Sequence, residues 1–119
     1  MAYVDGFLLA VPKKNLQAYR NIARKAGKVW REHGALDYKE CVADDVKPGK
    51  VTSFPQAVKL KKNEAVWFSW IVYKTKNDRN RILKKVMADK RLAKMMDPKA
   101  MPFDMKRMIY GGFKVVVDV

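Results

Sequence analysis

The stretch Ala65–Tyr73 constrains the fold of this chain more than any other. Its residues alternate between two largely apolar sets, which are Val66, Phe68, Trp70 and Val72 on one side and Trp67, Ser69, Ile71 and Tyr73 on the other. Aromatic and β-branched residues with a period of two predict a β-strand. Because both sides are apolar, this strand must lie in a sheet that is covered on both faces.

The order of the elements around this strand predicts the fold class. We expect a strand over 3–11, a helix over 15–33, a strand over 36–44, a second helix capped by Thr75 or Asn77, a loop over 97–102 and a last strand over 108–117. Residues 56–60 favour a short helical turn or an edge strand. The resulting β-α-β-β-α-β order predicts an α+β, ferredoxin-like fold with two helices on one face of a four-stranded antiparallel sheet.

Two helices can cover only one face of such a sheet. The first, third and fourth strands are apolar on both faces, so the second face must also be buried. The same face of another copy is the simplest cover, which predicts a homodimer. At 119 residues the chain is long enough for one core, and we expect a single domain over 1–119.

The charge of the chain limits its partners. It has 26 Lys and Arg against 12 Asp and Glu, a net charge of +14, which attracts nucleic acid. The bases never form a block of five or six, so a solvated surface is the alternative. One cysteine, Cys41, favours a reducing compartment. With no signal peptide pattern and no run long enough to cross a bilayer, we predict a cytoplasmic protein without a membrane partner.

The run Met101–Phe113 has the highest density of unusual residues. Asp104 is a candidate base, and the guanidinium of Arg107 suits a carboxylate or phosphate of an anionic ligand. Tyr110 supplies a hydroxyl, and Gly111–Gly112 indicates a close approach or a bulge. The structural alternative is that Asp104 pairs locally with a base and Tyr110 belongs to the core.

Two carboxylates, Asp5 and Glu40, interrupt apolar strand patterns. If both face one cleft, burial raises their pKa values and either can serve as a base. The alternative is a satisfied hydrogen bond or an ion pair. A single histidine, His33, cannot form a histidine metal cluster, and no phosphate-binding loop is present. We therefore expect no metal and no cofactor.

Basic helix faces offer a second function, binding of RNA or another nucleic acid. The aromatic strand residues favour the same function if they are exposed, since bases stack on such side chains. A third alternative is a structural or interaction protein with no ligand. The basic residues concerned are Lys14, Arg24, Lys25, Lys28, Arg31, Arg81, Lys84 and Lys85.

Five motifs resemble the YbaA-like family of small bacterial proteins. They are Y-V-D-G-F at Tyr3–Phe7, H-G-A-L at His33–Leu36, E-C-V-A-D-D at Glu40–Asp45, V-W-F-S-W-I-V-Y at Val66–Tyr73 and M-P-F-D-M-K-R-M-I-Y-G-G-F at Met101–Phe113. The resemblance covers nearly the whole chain. It implies a dimeric α/β-barrel fold and an uncharacterised function.

The wider dimeric α/β-barrel group places small ligands in the cleft between sheet and helices. By this analogy the first functional hypothesis is a homodimer with a small-molecule cleft. Asp5 or Asp104 would be the base and Arg107 would orient an anionic substrate. The remaining candidates for the lining of the cleft are Glu40, Trp70 and Tyr110.

Overall fold

The computed structural model describes residues 1–119 and contains one antiparallel sheet. Its strands are β1 (Tyr3–Pro12), β2 (Asp37–Val42), β3 (Glu64–Tyr73) and β4 (Ile109–Lys114). They lie in the order β2-β3-β1-β4. The two central strands pair over their whole length, from Tyr3 opposite Tyr73 to Pro12 opposite Glu64. The predicted α+β class and four-stranded antiparallel sheet are confirmed.

Four helices accompany the sheet, where the sequence predicted two. They are α1 (Leu16–Glu32), α2 (Phe54–Ala57), α3 (Lys76–Ala88) and α4 (Lys90–Met95), and two single 3-10 turns lie at Lys13–Asn15 and Met105–Arg107. None of the helices is long and apolar enough to cross a membrane.

Local capping explains where these helices begin and end. The Ser53 side chain accepts a hydrogen bond from the Gln56 amide at the start of α2, so the helical alternative for this segment is right. Thr75 caps α3 in the same way. Asp89 has extended backbone angles that end α3, and its side chain caps α4 by accepting from the Arg91 amide. The sequence prediction missed α4 because one residue performs both tasks. It also placed the end of the last strand too late, because β4 ends at Lys114.

The main core lies between the sheet and α1, α3 and α4. Residues with period-two spacing on β1 and β3 point to these helices. The buried cluster includes Trp30 of α1, Tyr73 of β3, Ile82 and Val86 of α3 and Leu92 of α4. This face therefore has the covering that the strand pattern requires.

The opposite face of the sheet is covered at one end only. There Val58 packs on Ala10 and Val66. Further along this face, Phe68 is 44% exposed and Phe113 is 63% exposed. We call the uncovered part the open face, and it consists of Val4, Leu8, Phe68, Trp70, Val72 and Phe113.

Candidate functional site

Arg107 lies in a closed set of ion pairs. Its Nη1 and Nη2 bind the two carboxylate oxygens of Glu64 at 2.7 and 2.5 Å. Its Nε donates to Asp104 over 3.2 Å, and Nη1 also reaches the Lys59 carbonyl at 3.1 Å. The hydrogen bond from Arg107 lowers the pKa of Glu64, and the bond from Glu64 raises the pKa of Arg107. We call Glu64, Asp104 and Arg107 the Arg107 network, and it leaves Arg107 no free side to orient an anionic ligand.

Asp104 starts the 3-10 turn that follows it. Its carboxylate accepts from the Lys106 amide over 3.0 Å, and this bond, with the one from Arg107, lowers its pKa. Its side chain is 44% exposed. A solvated carboxylate with a lowered pKa is a weak base, so the local pairing considered for Asp104 describes its place in the structure.

Asp5 is buried in a separate network at the other end of β1. It accepts from Arg79 Nε over 3.0 Å and from the Tyr73 hydroxyl over 3.0 Å. Tyr73 in turn accepts from Trp30 Nε1 over 3.1 Å. A Cβ on Gly112 would collide with the Tyr3 hydroxyl and with Arg79, so Gly112 gives these side chains the space they occupy. Asp5 is thus held as the partner of a cation.

Trp70 and Tyr110 do not meet the other candidates. Trp70 pairs with Gly6 in the register of β1 and β3, which places its side chain on the open face. Tyr110 is 71% exposed on edge strand β4, with its ring stacked on Phe7 at a centroid distance of 6.3 Å. The six residues proposed from sequence therefore do not line one cleft.

Glu40 is the one predicted site residue that lies in a pocket between the sheet and α1. Strand β2 alternates so that Tyr38 and Glu40 point to this side. The Tyr19 hydroxyl donates to Glu40 Oε1 over 2.9 Å, and the Tyr38 hydroxyl donates to Oε2 over 2.8 Å. We call Tyr19, Tyr38, Glu40 and Ser69 the Glu40 cluster.

Burial dominates the electrostatics of this cluster. It raises the pKa of Glu40, and hydrogen bonds from Tyr38, Tyr19 and Ser69 offset only part of the rise. The pKa values of Tyr19 and Tyr38 are also raised, first by burial and then by the neighbouring carboxylate. A carboxyl group with a raised pKa at a pocket is a candidate proton donor or acceptor.

The pocket beside Glu40 has a volume of about 100 Å³. Its walls are apolar side chains from the sheet, from α1 and from the segment 96–108. Methionines in that segment adapt their shape to what they contact. The apolar lining includes Phe7, Leu9, Ile22, Trp30, Ile71, Met96, Met101, Phe103, Met105 and Met108.

A glycine in α1 fixes the position of Tyr38. A Cβ at Gly27 would lie 2.7 Å from the Tyr38 ring, closer than packed atoms tolerate. Gly27 therefore lets the ring pack directly on the helix, and the hydroxyl then reaches Glu40. The sequence analysis missed Tyr19, Tyr38 and Ser69, although the two-residue spacing of Tyr38 and Glu40 on one strand is a signal that could have found the first partner.

The basic residues considered for nucleic-acid binding lie on three different elements, since Lys14 is in the 3-10 turn Lys13–Asn15 and the others are on α1 and α3. Arg24, Lys28 and Arg31 line a groove between α1 and β2. Arg81, Lys84 and Lys85 lie on α3, where Arg81 pairs with Asp78 over 2.7 Å. Lys14 and Lys25 do not line the groove. No group of three or more His, Cys, Asp or Glu side chains could hold a metal ion.

The four-stranded sheet with its helices defines the class as an α+β protein. A solved structure with a similar fold is a NIPSNAP family protein of unknown function from Agrobacterium tumefaciens, with a TM-score of 0.56 at 11% identity, covering 94% of this chain and 86% of that one. At this identity the likeness concerns the fold alone.

The family follows from sequence. Residues 2–105 match the family described as a protein of unknown function, DUF1428. The chain is 50% identical over 118 residues to the uncharacterized protein YbaA of Escherichia coli K12, with 99% of each chain covered. The YbaA protein of Shigella flexneri matches with the same identity and coverage. The chain therefore belongs to the DUF1428 family, and its resemblance to YbaA-like proteins is confirmed.

Proposed function

We propose that residues 1–119 form one domain that pairs with a second copy and binds a small molecule in the pocket beside Glu40, where Glu40 exchanges a proton with the ligand. The observation that carries the proposal is a half-buried carboxyl group with a raised pKa at the edge of an apolar pocket, held by two tyrosine hydroxyls and by no cation. Apolar pockets with a few convergent polar groups are the usual small-molecule sites of proteins.

The geometry supports Glu40 over the other predicted carboxylates. Asp5 and Asp104 each bind an arginine, so their negative charges are matched within the chain. Glu40 has only hydroxyl donors in its cluster, at 2.9 and 2.8 Å. A carboxyl group without a cation partner keeps its proton more readily and is free to transfer it.

A fragment screen by ligand-observed NMR tests the pocket. We expect small neutral compounds with one polar group to bind the wild type and to lose binding in Glu40→Gln, which keeps the shape of the side chain and removes the acid. Asp104→Asn is the matched control, because it makes the same chemical change outside the pocket. Equal loss in both variants, or no compound that depends on Glu40, contradicts the proposal.

The open face supports the second part of the proposal, the homodimer. It presents large apolar side chains such as Phe68 and Phe113 that the chain itself does not cover. Packing such a face on a matching sheet removes apolar surface from water and is therefore stabilising. The same face of a second copy is a matching sheet.

Light scattering after size exclusion tests this pairing. We expect the wild type at twice the 13.8 kDa chain mass and Phe68→Asp at the monomer mass. Met87→Asp places the same charge on α3 at an exposed apolar residue and should leave the dimer intact. A monomeric wild type, or a dimer that Phe68→Asp does not weaken, refutes the pairing.

Two further predictions stand beside this proposal. The single cysteine is consistent with a reducing, cytoplasmic setting. Nucleic-acid binding through the helix faces stays a prediction. Variants that remove positive charge on α1 and on α3 test it by their effect on the affinity for an oligonucleotide.

A further inference from the structure

A groove between α1 and edge strand β2 supports a second binding site, separate from the pocket beside Glu40. The groove has a volume of about 850 Å³. Its floor includes the apolar side chains of Leu16, Val42 and Trp67, while cationic side chains stand along its rim. Concave sites of roughly 300–1,000 Å³ are typical for drug-sized ligands, whereas the pocket beside Glu40, at about 100 Å³, admits only smaller ones.

Three of the rim cations have no partner. Arg20, Arg24 and Lys28 are exposed on α1 and make no ion pair. They are spaced four residues apart, so they form one row of roughly 12 Å along the helix. Like charges at this spacing repel each other and destabilise a helix. The row therefore has no structural benefit in the isolated chain.

From the apolar floor of the groove and its row of unpaired cations we propose that the groove binds an amphiphilic anion, a small molecule with an anionic head and an apolar body. The head pairs with Arg20, Arg24 and Lys28, and the body lies against Leu16, Val42 and Trp67. The binding of the head is charge-assisted, and the burial of the body adds the hydrophobic contribution.

A nucleic acid fits this groove less well. Bases bind proteins by stacking on exposed aromatic rings. Trp67 is buried, and its ring packs edge-to-face on Tyr19 at a centroid distance of 4.8 Å. The floor therefore offers apolar contact without a platform for a base.

The inference stands independently of the pocket beside Glu40. Glu40 also lines the groove, where a negative charge opposes the binding of an anion. Glu40→Gln should therefore abolish binding of pocket ligands while leaving or strengthening the binding of an amphiphilic anion. Binding measurements on this one variant therefore distinguish a failure of the pocket proposal from a failure of the groove proposal.

The test is calorimetric titration of the full chain with octanoate, octanol and acetate at 150 mM salt. We expect octanoate to bind at least tenfold more tightly than octanol, which lacks the charge, and than acetate, which lacks the body. The triple variant Arg20→Gln/Arg24→Gln/Lys28→Gln should weaken octanoate at least tenfold. Because the variant relieves repulsion along α1, its melting temperature should not fall.

The matched control removes the same charge elsewhere. Lys25→Gln/Lys84→Gln/Lys85→Gln lies outside the groove and should change octanoate affinity by less than twofold. Equal weakening in both triple variants would mean generic attraction by the net charge and would overturn the site. Equal affinity for octanol or for acetate would overturn the amphiphilic class.

Single-stranded oligouridylate of eight nucleotides is the competing ligand. If it binds, the groove variant weakens it more than the control variant does, and octanoate does not bind, then the groove is a nucleic-acid interface and the inference is wrong. If octanoate binds as described and oligouridylate responds equally to both triple variants, the inference holds.

Discussion

The Arg107 network and the Glu40 cluster are both built around a glutamate, and their electrostatics are opposite. Glu64 binds a guanidinium through both oxygens, and its pKa is lowered. Glu40 binds two tyrosine hydroxyls, and its pKa is raised because burial outweighs those bonds. In the first region two carboxylates, Glu64 and Asp104, share one guanidinium within the chain. In the second, the chain keeps a carboxyl group in an environment that disfavours its charge.

This difference separates a structural site from a candidate functional one. A carboxylate paired with an arginine holds chain segments together, as Glu64 joins β3 to the turn before β4. A half-buried carboxyl group without a cation partner costs stability in the free chain, and groups with pKa values perturbed in this way concentrate at functional sites. The density of charged residues over Met101–Phe113 led the sequence analysis to place a ligand site at the Arg107 network. The Glu40 cluster is the better candidate for a ligand site.

The largest expected effect is loss of stability in Arg107→Ala. The variant leaves Glu64, whose side chain is 6% exposed, without its cation. Breaking a buried ion pair by removing one partner typically destabilises by about 3 kcal/mol or more. Urea denaturation should therefore show a fall of that order in the free energy of unfolding.

One further variant and one contrary outcome define what this result means. Asp104→Ala should have a much smaller effect, because Asp104 is 44% exposed and is only the secondary partner of Arg107. If Arg107→Ala is as stable as the wild type and no longer binds an anion that the wild type binds, then Arg107 is a ligand-binding residue and not a structural one.

The sequence predicted the sheet well because period-two patterns are local. The alternation over Ala65–Tyr73 identified β3 and assigned Trp67, Ser69, Ile71 and Tyr73 to one side, as the structure has them. The sites were harder, because their partners are distant in sequence. Tyr19 and Glu40 are 21 residues apart, and Arg107 and Glu64 are 43 apart. No spacing rule relates such pairs before the register of the sheet and the position of α1 are known.

A middle-sized effect is expected at Gly27, which supports the Glu40 cluster. Alanine is a better helix former than glycine by about 1 kcal/mol. Its Cβ would however lie 2.7 Å from the Tyr38 ring, and overpacking of this kind costs roughly 1–3 kcal/mol. We expect Gly27→Ala to lower the free energy of unfolding by about 1 kcal/mol.

A double-mutant cycle makes this prediction specific. With Tyr38→Ala the ring is absent, so adding Gly27→Ala should now stabilise the protein, and the sign of its effect reverses. If Gly27→Ala has the same effect in both backgrounds, the contact between Gly27 and Tyr38 does not hold the tyrosine in place.

The smallest expected effect is the change in the pH dependence of stability in Glu40→Gln and Asp104→Asn. It is also the most direct test of the difference between the two regions. Glu40 has a higher pKa in the folded chain than its ordinary value of 4.5, so the folded state binds this proton more tightly. The resulting stability is fully present below the unfolded pKa and is lost as pH rises through the folded pKa. Glu40→Gln should therefore gain stability relative to wild type as pH rises from 4 to 8.

Asp104→Asn should behave in the opposite way. The pKa of Asp104 is below its ordinary value of 3.8 in the folded chain, because it accepts bonds from the Lys106 amide and from Arg107. Its contribution is present above the unfolded pKa and is lost as pH falls through the folded pKa. Relative to wild type, Asp104→Asn should lose stability between pH 2 and 5 as pH rises. Thermal melts of both variants over pH 2–8 check the two signs, and equal signs would mean that burial does not distinguish Glu40 from the paired carboxylates.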